Sequence, residues 1–162
     1  MQPFWKLYKA SSCSLKLKGT TAEAVFRELI TVMVKSGALP EDKTDATLEA
    51  LLAREEKAST GVGQHVAIPH VQIEGIDEAI VSLGIHPQGV AWNSLDGEPA
   101  QIFFVVLRPT EGGESHDPDR HLEMMRWIAS LGRDADFRNF ARAATTRTEL
   151  VQLLKEMSGA AN

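Results

Sequence analysis

The stretch Ser59-Thr60-Gly61-Val62-Gly63-Gln64-His65-Val66-Ala67-Ile68-Pro69-His70 constrains the fold more than any other part of the chain. Two glycines flank Val62, so the backbone there can take a positive φ or approach another group where a side chain would block it. The apolar run Val66-Ala67-Ile68 reads as a buried strand. Pro69 fixes its own φ, has no amide to donate and pushes Ile68 into an extended conformation, so the strand is predicted to end there. His70 follows at once on a restrained backbone, where an imidazole can face solvent and stay aimed.

The elements on either side follow from periodicity and punctuation. Residues 13–17 alternate apolar and polar side chains, as a short half-buried strand does. Thr20-Thr21-Ala22-Glu23 reads as a capping box, with Thr20 at the N-cap and Glu23 making the return bond. Val25, Leu29, Val32 and Met33 then share one helical face. Gly37 and Pro40 close that helix, and Asp42 or Thr44 is placed to start the next. In that second helix Ala46, Leu48, Leu51 and Leu52 lead up to Arg54-Glu55, beside the Gly-rich turn. After His70, residues 79–85 are predicted as a strand turned by Pro87-Gln88-Gly89, and residues 92–97 as a turn-rich connection. Residues 102–107 form a continuous apolar run, the mark of a central strand covered on both faces, and Pro109 terminates it. A loop over residues 110–119 carries glycines, Pro118 and several acids, and is expected to be mobile. Leu122, Met125, Ile128 and Leu131 make one helical stripe from about Arg120 to Gly132. A short helix is expected near Phe137 and Phe140. Thr146-Arg147-Thr148-Glu149 is a second capping box, opening a last helix.

Strands alternating with paired helices imply an α/β domain with helices on both sheet faces. At 162 residues, with 43% apolar and 24% charged side chains, the chain supports one core. The expected organisation is an N-terminal tail over residues 1–12, on which Phe4, Trp5, Leu7 and Tyr8 pack, and a single domain over residues 13–162. The net charge of −5 argues against a nucleic-acid partner or an anionic membrane surface. Cys13 is the lone cysteine, which excludes an intramolecular disulfide and a Cys-rich zinc site. No apolar run approaches the length of a membrane span, and Met1-Gln2-Pro3-Phe4-Trp5 contains no basic leader before an apolar stretch. A cytoplasmic location is expected.

Arg54-Glu55, then Ser59-Thr60-Gly61-Val62-Gly63, then Ala67-Ile68-Pro69-His70 resembles the signature of the fructose/mannitol-class (type 2) enzyme IIA domain of the bacterial phosphotransferase system (PTS), its nitrogen-regulatory branch included. The likeness runs from about Leu15 to Met157. It implies a three-layer α/β/α fold around a small mixed sheet. It also implies that His70 is transiently phosphorylated. The phosphoryl group would come from a phosphohistidine (HPr-like) donor protein and pass to a sugar-transport IIB subunit, or stay as a regulatory mark for an enzyme or kinase. His121, at a helix start after the loop, stands where the family has a second histidine. There its ring could donate to phosphoryl oxygens, with help from helix N-terminal amides. Arg54 would neutralise phosphoryl charge with paired donors. Thr60 and Ser59 would cap the turn or contact phosphate. The implied activity is that of a phosphotransferase with no cofactor and no metal.

The chemistry suits the residue. Imidazole is nucleophilic when neutral, its ordinary pKa keeps much of it neutral in the cell, and a hydrogen bond to one ring nitrogen decides which nitrogen attacks. Each assignment also has a plainer reading. His70 could be a strand-end histidine satisfied by a carbonyl, and His121 an exposed first-turn residue. Arg54 could form a weak surface pair with Glu55, and Ser59 and Thr60 could serve only the turn.

Two places depart from the family pattern. His65 stands where a small residue is usual, so it either tolerates an unusual backbone angle or signals a shifted turn. Val71 and Gln72 follow His70 in place of a small and a basic residue. His65 and His70 would face opposite sides of a continuous strand, which weakens a shared metal site, and His86 is assigned no role. Two other functions compete: a binding module of the same fold acting by contacts alone, and a metal hydrolase using His116, Asp117, Asp119 and His121. The latter lacks a recognised ligand spacing. With no IIB-like segment or CxxxxR-like cysteine site, the chain is expected to be a regulatory protein or one subunit of a split transporter.

Overall fold

The computed structural model describes residues 3–110 and 117–159. In chain order its elements are β1 (Cys13–Ser14), α1 (Ala22–Lys35), α2 (Thr44–Lys57), β2 (Gly61–Gly63), β3 (Val66–Ala67), β4 (His70–Ile73) and β5 (Ile80–Val90). Then come β6 (Ala100–Pro109), α3 (Pro118–Arg133), α4 (Ala135–Ala143) and α5 (Arg147–Gly159). Ahead of β1, two single-turn helices, Phe4–Leu7 and Ala10–Ser12, bring Tyr8 into the core, edge-on to Phe104 at 6.4 Å.

The apolar run over residues 102–107 does become the centre of the molecule. The sheet order is β1-β5-β6-β3-β2, and β4 also pairs with β6. β5 lies antiparallel to β6, whereas β3 and β4 run parallel to it, so the sheet is mixed. Side chains alternate across β6 as strand geometry requires. Phe103, Val105 and Leu107 join Leu29 and Met33 of α1 and Leu48 and Leu51 of α2. Ile102, Phe104 and Val106 join Met124 and Ile128 of α3, Phe137 of α4 and Leu154 of α5. Two cores back to back give the three-layer α/β/α architecture. Each large apolar side chain so buried contributes about 1.5–3 kcal/mol, and the polar residues of β6, Gln101 and Arg108, stand outside the 102–107 run.

Several boundaries differ from the sequence expectation. The Val66–Ile68 strand does not stop for good at Pro69. β4 resumes at His70 in the same register against β6, Val66 opposite Ile102 and His70 opposite Val106. Pro69 cannot donate, but its carbonyl accepts from the Val106 amide at 3.0 Å, and that bond carries the strand across the break. Pro87-Gln88-Gly89 does not turn β5 either. It forms an irregularity inside the strand, where the register with β6 shifts between Ile85 and Val90 and Gly89 takes φ 79°. A proline is acceptable where the ladder is already interrupted.

The helix ends show similar offsets. Thr21, not Thr20, caps α1, its hydroxyl accepting from the Ala24 amide at 3.2 Å, and Glu23 pairs with Arg27 rather than returning to the cap. The amides ahead of the helix are met by Glu28, which accepts from Lys18 at 3.0 Å and Gly19 at 2.8 Å. α3 begins at Pro118 and buries Met124, Ile128 and Leu131, leaving Leu122 exposed and Met125 half-buried. On α4, Phe137 is buried and Phe140 exposed. At the second capping box the Glu149 amide donates to the Thr146 hydroxyl at 3.1 Å, but the Glu149 carboxylate returns to the Thr145 amide at 2.9 Å, one residue ahead of the cap. Residues 111–116 of the loop expected to be mobile lie outside the described residues. Among the described residues no helix is long and apolar enough to cross a membrane.

Candidate functional site

The Gly-rich turn uses its two glycines for different reasons. At Gly61 a Cβ would collide with the Ser94 hydroxyl, so the residue is there for close approach. Gly63 has φ 91°, a conformation that costs a residue with a side chain on the order of 1 kcal/mol or more. Gln64 and His65 continue in the same left-handed region, with φ 55° and 70°. His65 therefore tolerates an unusual backbone angle, the first of the two readings its presence allowed. Its ring Nδ1 donates to the Pro99 carbonyl at 2.9 Å, and its own carbonyl accepts from the Gln101 and Ile102 amides at 2.8 and 3.0 Å.

Asp96 holds this strained turn, a role that sequence reasoning missed. Its carboxylate accepts from the Gln64 amide at 2.7 Å and from the Glu98 amide at 3.1 Å. The Gln64 amide first, and then the Glu98 amide, hold the Asp96 carboxyl below its ordinary range. A carboxyl lowered in the fold contributes stability that is present above its unfolded value, near pH 4, and lost as pH falls through the folded one. Melting temperature is expected to decline as pH drops below about 4, and Asp96→Asn to flatten that decline. Thermal melts of both proteins from pH 3 to pH 6 check this; identical slopes would remove Asp96 from the account.

His70 opens β4, half-buried, with Nδ1 at 2.9 Å from the Ile68 carbonyl oxygen. A carbonyl can only accept, so Nδ1 carries the proton and Nε2 keeps its lone pair. Residues in parallel register present their side chains to the same face. Val106, opposite His70, lies in the α3–α5 core, while Val71 packs with the α1–α2 core. The His70 ring therefore belongs to the α3 side of the sheet. His121 is on that side too, half-buried in the first turn of α3.

The α3 terminus offers less than its position suggests. Pro118 has no amide. Those of Asp119 and Arg120 donate to the Asp117 carboxylate at 3.0 and 3.4 Å, and that of His121 donates to the Asp117 carbonyl at 3.0 Å. The helix N-terminal amides expected to assist a phosphoryl group are engaged by the Asp117 cap. Asp117 being that cap also draws it away from the metal-ligand set considered with Asp119 and His121, whose fourth member, His116, lies outside the described residues.

Arg54 stands at the end of α2, in the opposite layer, and its guanidinium donates to the Ala58 carbonyl at 2.6 Å. It does not pair with Glu55. Both Glu55 oxygens are taken by Thr60, from its amide at 2.7 Å and its hydroxyl at 2.5 Å. Thr60 is buried and also receives the Trp92 indole N–H at 3.0 Å. The Ser59 hydroxyl donates to the Trp92 carbonyl at 2.5 Å and accepts from the Gly61 amide at 3.0 Å. These two hydroxyls are engaged inside the turn, the capping role that the sequence allowed them beside a phosphate contact. Trp92, hidden in a turn-rich segment, was missed. A lone large aromatic among Asn, Ser, Asp and Gly is the signal of an anchored loop. Cys13 supplies no alternative nucleophile, since burial pushes its thiol up to about 11.

Residues 6–157 match the family model described as phosphoenolpyruvate-dependent sugar phosphotransferase system, EIIA 2. The chain is 31% identical over 143 residues to a nitrogen regulatory protein of Pseudomonas aeruginosa, covering 88% of each. It is 28% identical over 151 residues to the fructose-specific EIIABC component of Bacillus subtilis, of which it spans only 23%. Among solved structures it superposes on the nitrogen regulatory protein IIA-Ntr of Neisseria meningitidis with a TM-score of 0.80 at 24% identity, covering 93% of this chain and 97% of that one. The complex of IIA and phosphorylated IIB for mannitol from Escherichia coli gives 0.68 at 19%, over 92% and 99%. At those identities the two structures speak for the fold alone.

Proposed function

The chain belongs to the EIIA 2 family of the phosphoenolpyruvate-dependent sugar phosphotransferase system, and on that premise we propose that it carries a phosphoryl group on His70 Nε2. The observation that supports this most is the Nδ1–H bond to the Ile68 carbonyl, which leaves Nε2 with its lone pair. In the proposed step that lone pair forms an N–P bond as the N–P bond to the donor's histidine breaks, and the electrons of the broken bond return to the donor ring. Nδ1 keeps its proton, so the phosphorylated ring is cationic and its charge is met by the carbonyl. A cationic ring is also a better leaving group for the onward transfer.

His121 and Arg54 are the proposed partners of the phosphoryl oxygens, His121 from the same sheet face and Arg54 from across the turn. The donor is a phosphohistidine protein of the HPr type. The proposed acceptor is a IIB subunit, as the mannitol IIA–IIB complex suggests, or a regulated enzyme or kinase, as the nitrogen regulatory relatives suggest. The role calls for a cytoplasmic location, where a soluble donor reaches His70.

Incubation with a phosphorylated HPr-type donor is expected to place about one acid-labile, base-stable phosphoryl group on each chain. A folded chain that stays unlabelled beside a control EIIA 2 domain labelled by the same donor would remove the carrier reading. It would leave a module that acts by contacts alone.

A further inference from the structure

A run of hydrogen bonds leads from the α2–β2 junction to the His70 ring, and it contains residues that no assigned role uses. The Glu55 carboxylate holds the Thr60 amide and hydroxyl. The Thr60 hydroxyl has one proton, given to Glu55, and it accepts the indole N–H of Trp92. The Thr60 carbonyl accepts from the Ile68 amide at 3.0 Å, and the Ile68 carbonyl accepts from His70 Nδ1 at 2.9 Å. Pro69, next in line, is pinned through its carbonyl to the Val106 amide. The peptide whose oxygen selects the His70 tautomer is therefore fixed on its N-terminal side by Thr60 and on its C-terminal side by β6.

Thr60 in turn is held by two groups of different kinds. Trp92 is an anchor in the α1–α2 core, 4% exposed and packed edge-on against Phe26 at 5.4 Å and Phe103 at 4.8 Å. Glu55 is a charged acceptor, whose hydrogen bonds are the stronger ones. We infer that Glu55 and Trp92 are positioning residues for phosphoryl transfer: acting through Thr60 and the Ile68 carbonyl, they hold the His70 ring in the tautomer that exposes Nε2. They touch neither the phosphoryl group nor the ring. The inference rests on the carrier reading for its consequence, but the tautomer it specifies exists without any donor.

The test is nitrogen-15 NMR of the histidine rings together with donor-dependent labelling rates, on Glu55→Gln, Trp92→Phe, Thr60→Val and Thr60→Ser. Gln has one acceptor oxygen where Glu55 uses two, Phe keeps the core ring without the N–H, Val keeps the shape without the hydroxyl, and Ser restores it. In the wild type His70 is expected to show a protonated Nδ1 and an unprotonated Nε2. In Glu55→Gln, Trp92→Phe and Thr60→Val the two tautomers are expected to mix and labelling to slow about tenfold, the effect of one misaligned hydrogen bond. Thr60→Ser is expected to stay near wild type in both readouts. Unchanged His70 nitrogen shifts in folded variants overturn the inference, whether or not labelling slows, because slowing without a tautomer change is a structural effect only. Should Glu55→Gln fail to fold, Trp92→Phe, which leaves the core filled, carries the same decision. A wild type that never labels while these variants shift their tautomer defeats the carrier reading and upholds only the hold of Glu55 and Trp92 on the His70 tautomer.

Discussion

Replacing His70 with alanine is expected to abolish phosphoryl labelling and leave the fold intact. The side chain makes one hydrogen bond, to the Ile68 carbonyl, and such a bond is worth about 1 kcal/mol net. The pairing of β4 with β6 uses backbone groups and Val71, Gln72 and Ile73 follow in register, so the strand persists without the ring. His65 makes this a sharp test. Its Nδ1 is also tied to a carbonyl, that of Pro99, and it is half-buried on the same turn. By local chemistry alone it is a rival nucleophile. The two differ in setting: His70 begins a strand registered on the central β6, while His65 sits in a left-handed turn that Asp96 restrains. Labelling that survives His70→Ala and disappears in His65→Ala would transfer the acceptor role to His65. Loss of labelling together with a collapsed melting temperature would show that the ring is structural.

The features legible in the sequence were those whose cause is local. An unbroken apolar run over residues 102–107 can only be buried on both sides, and β6 is. Two glycines around Val62 announced both a close approach and a positive φ, and each occurs once. Features set by distant partners were hidden. That β4 continues after Pro69 depends on β6, more than thirty residues further along the chain, offering an amide to the proline carbonyl. That Pro87 sits within β5 depends on a register shift against the same strand. The apolar stripe of α3 differs from the sequence expectation at its outer members, because the sheet selects Met124 rather than Leu122. At the site, the pattern pointed to His70 but not to the groups that support its turn. Asp96 and Trp92 are joined to the turn only through tertiary hydrogen bonds, and no spacing rule reaches across that interval. Arg54 and Glu55 are neighbours in the motif, yet the two side chains do unrelated things: one meets the Ala58 carbonyl and the other organises Thr60.

Replacing His121 with alanine is expected to slow phosphoryl transfer without removing the acceptor. The argument is one of place and of what else is available there. His121 shares the sheet face of His70, and α3 carries it on a rigid helix whose Met124 and Ile128 pack in the same core as Ile68 and Val106. The first-turn amides beside it are engaged by the Asp117 cap. With those amides engaged, the imidazole of His121 is the group proposed on this face to meet charge on the transferring group. Losing one donor to an oxyanion commonly costs ~2.7–4 kcal/mol of barrier in an enclosed site. At a half-buried position solvent replaces part of that stabilisation, so a slowing of roughly ten- to hundred-fold is expected. Single-turnover transfer from a phosphorylated donor, measured on folded wild type and His121→Ala at equal concentrations, gives the ratio. An unchanged rate would make His121 a bystander on the α3 surface. Complete loss of labelling with the fold retained would mean that the roles of the two histidines are exchanged, with His121 forming the N–P bond and His70 assisting it.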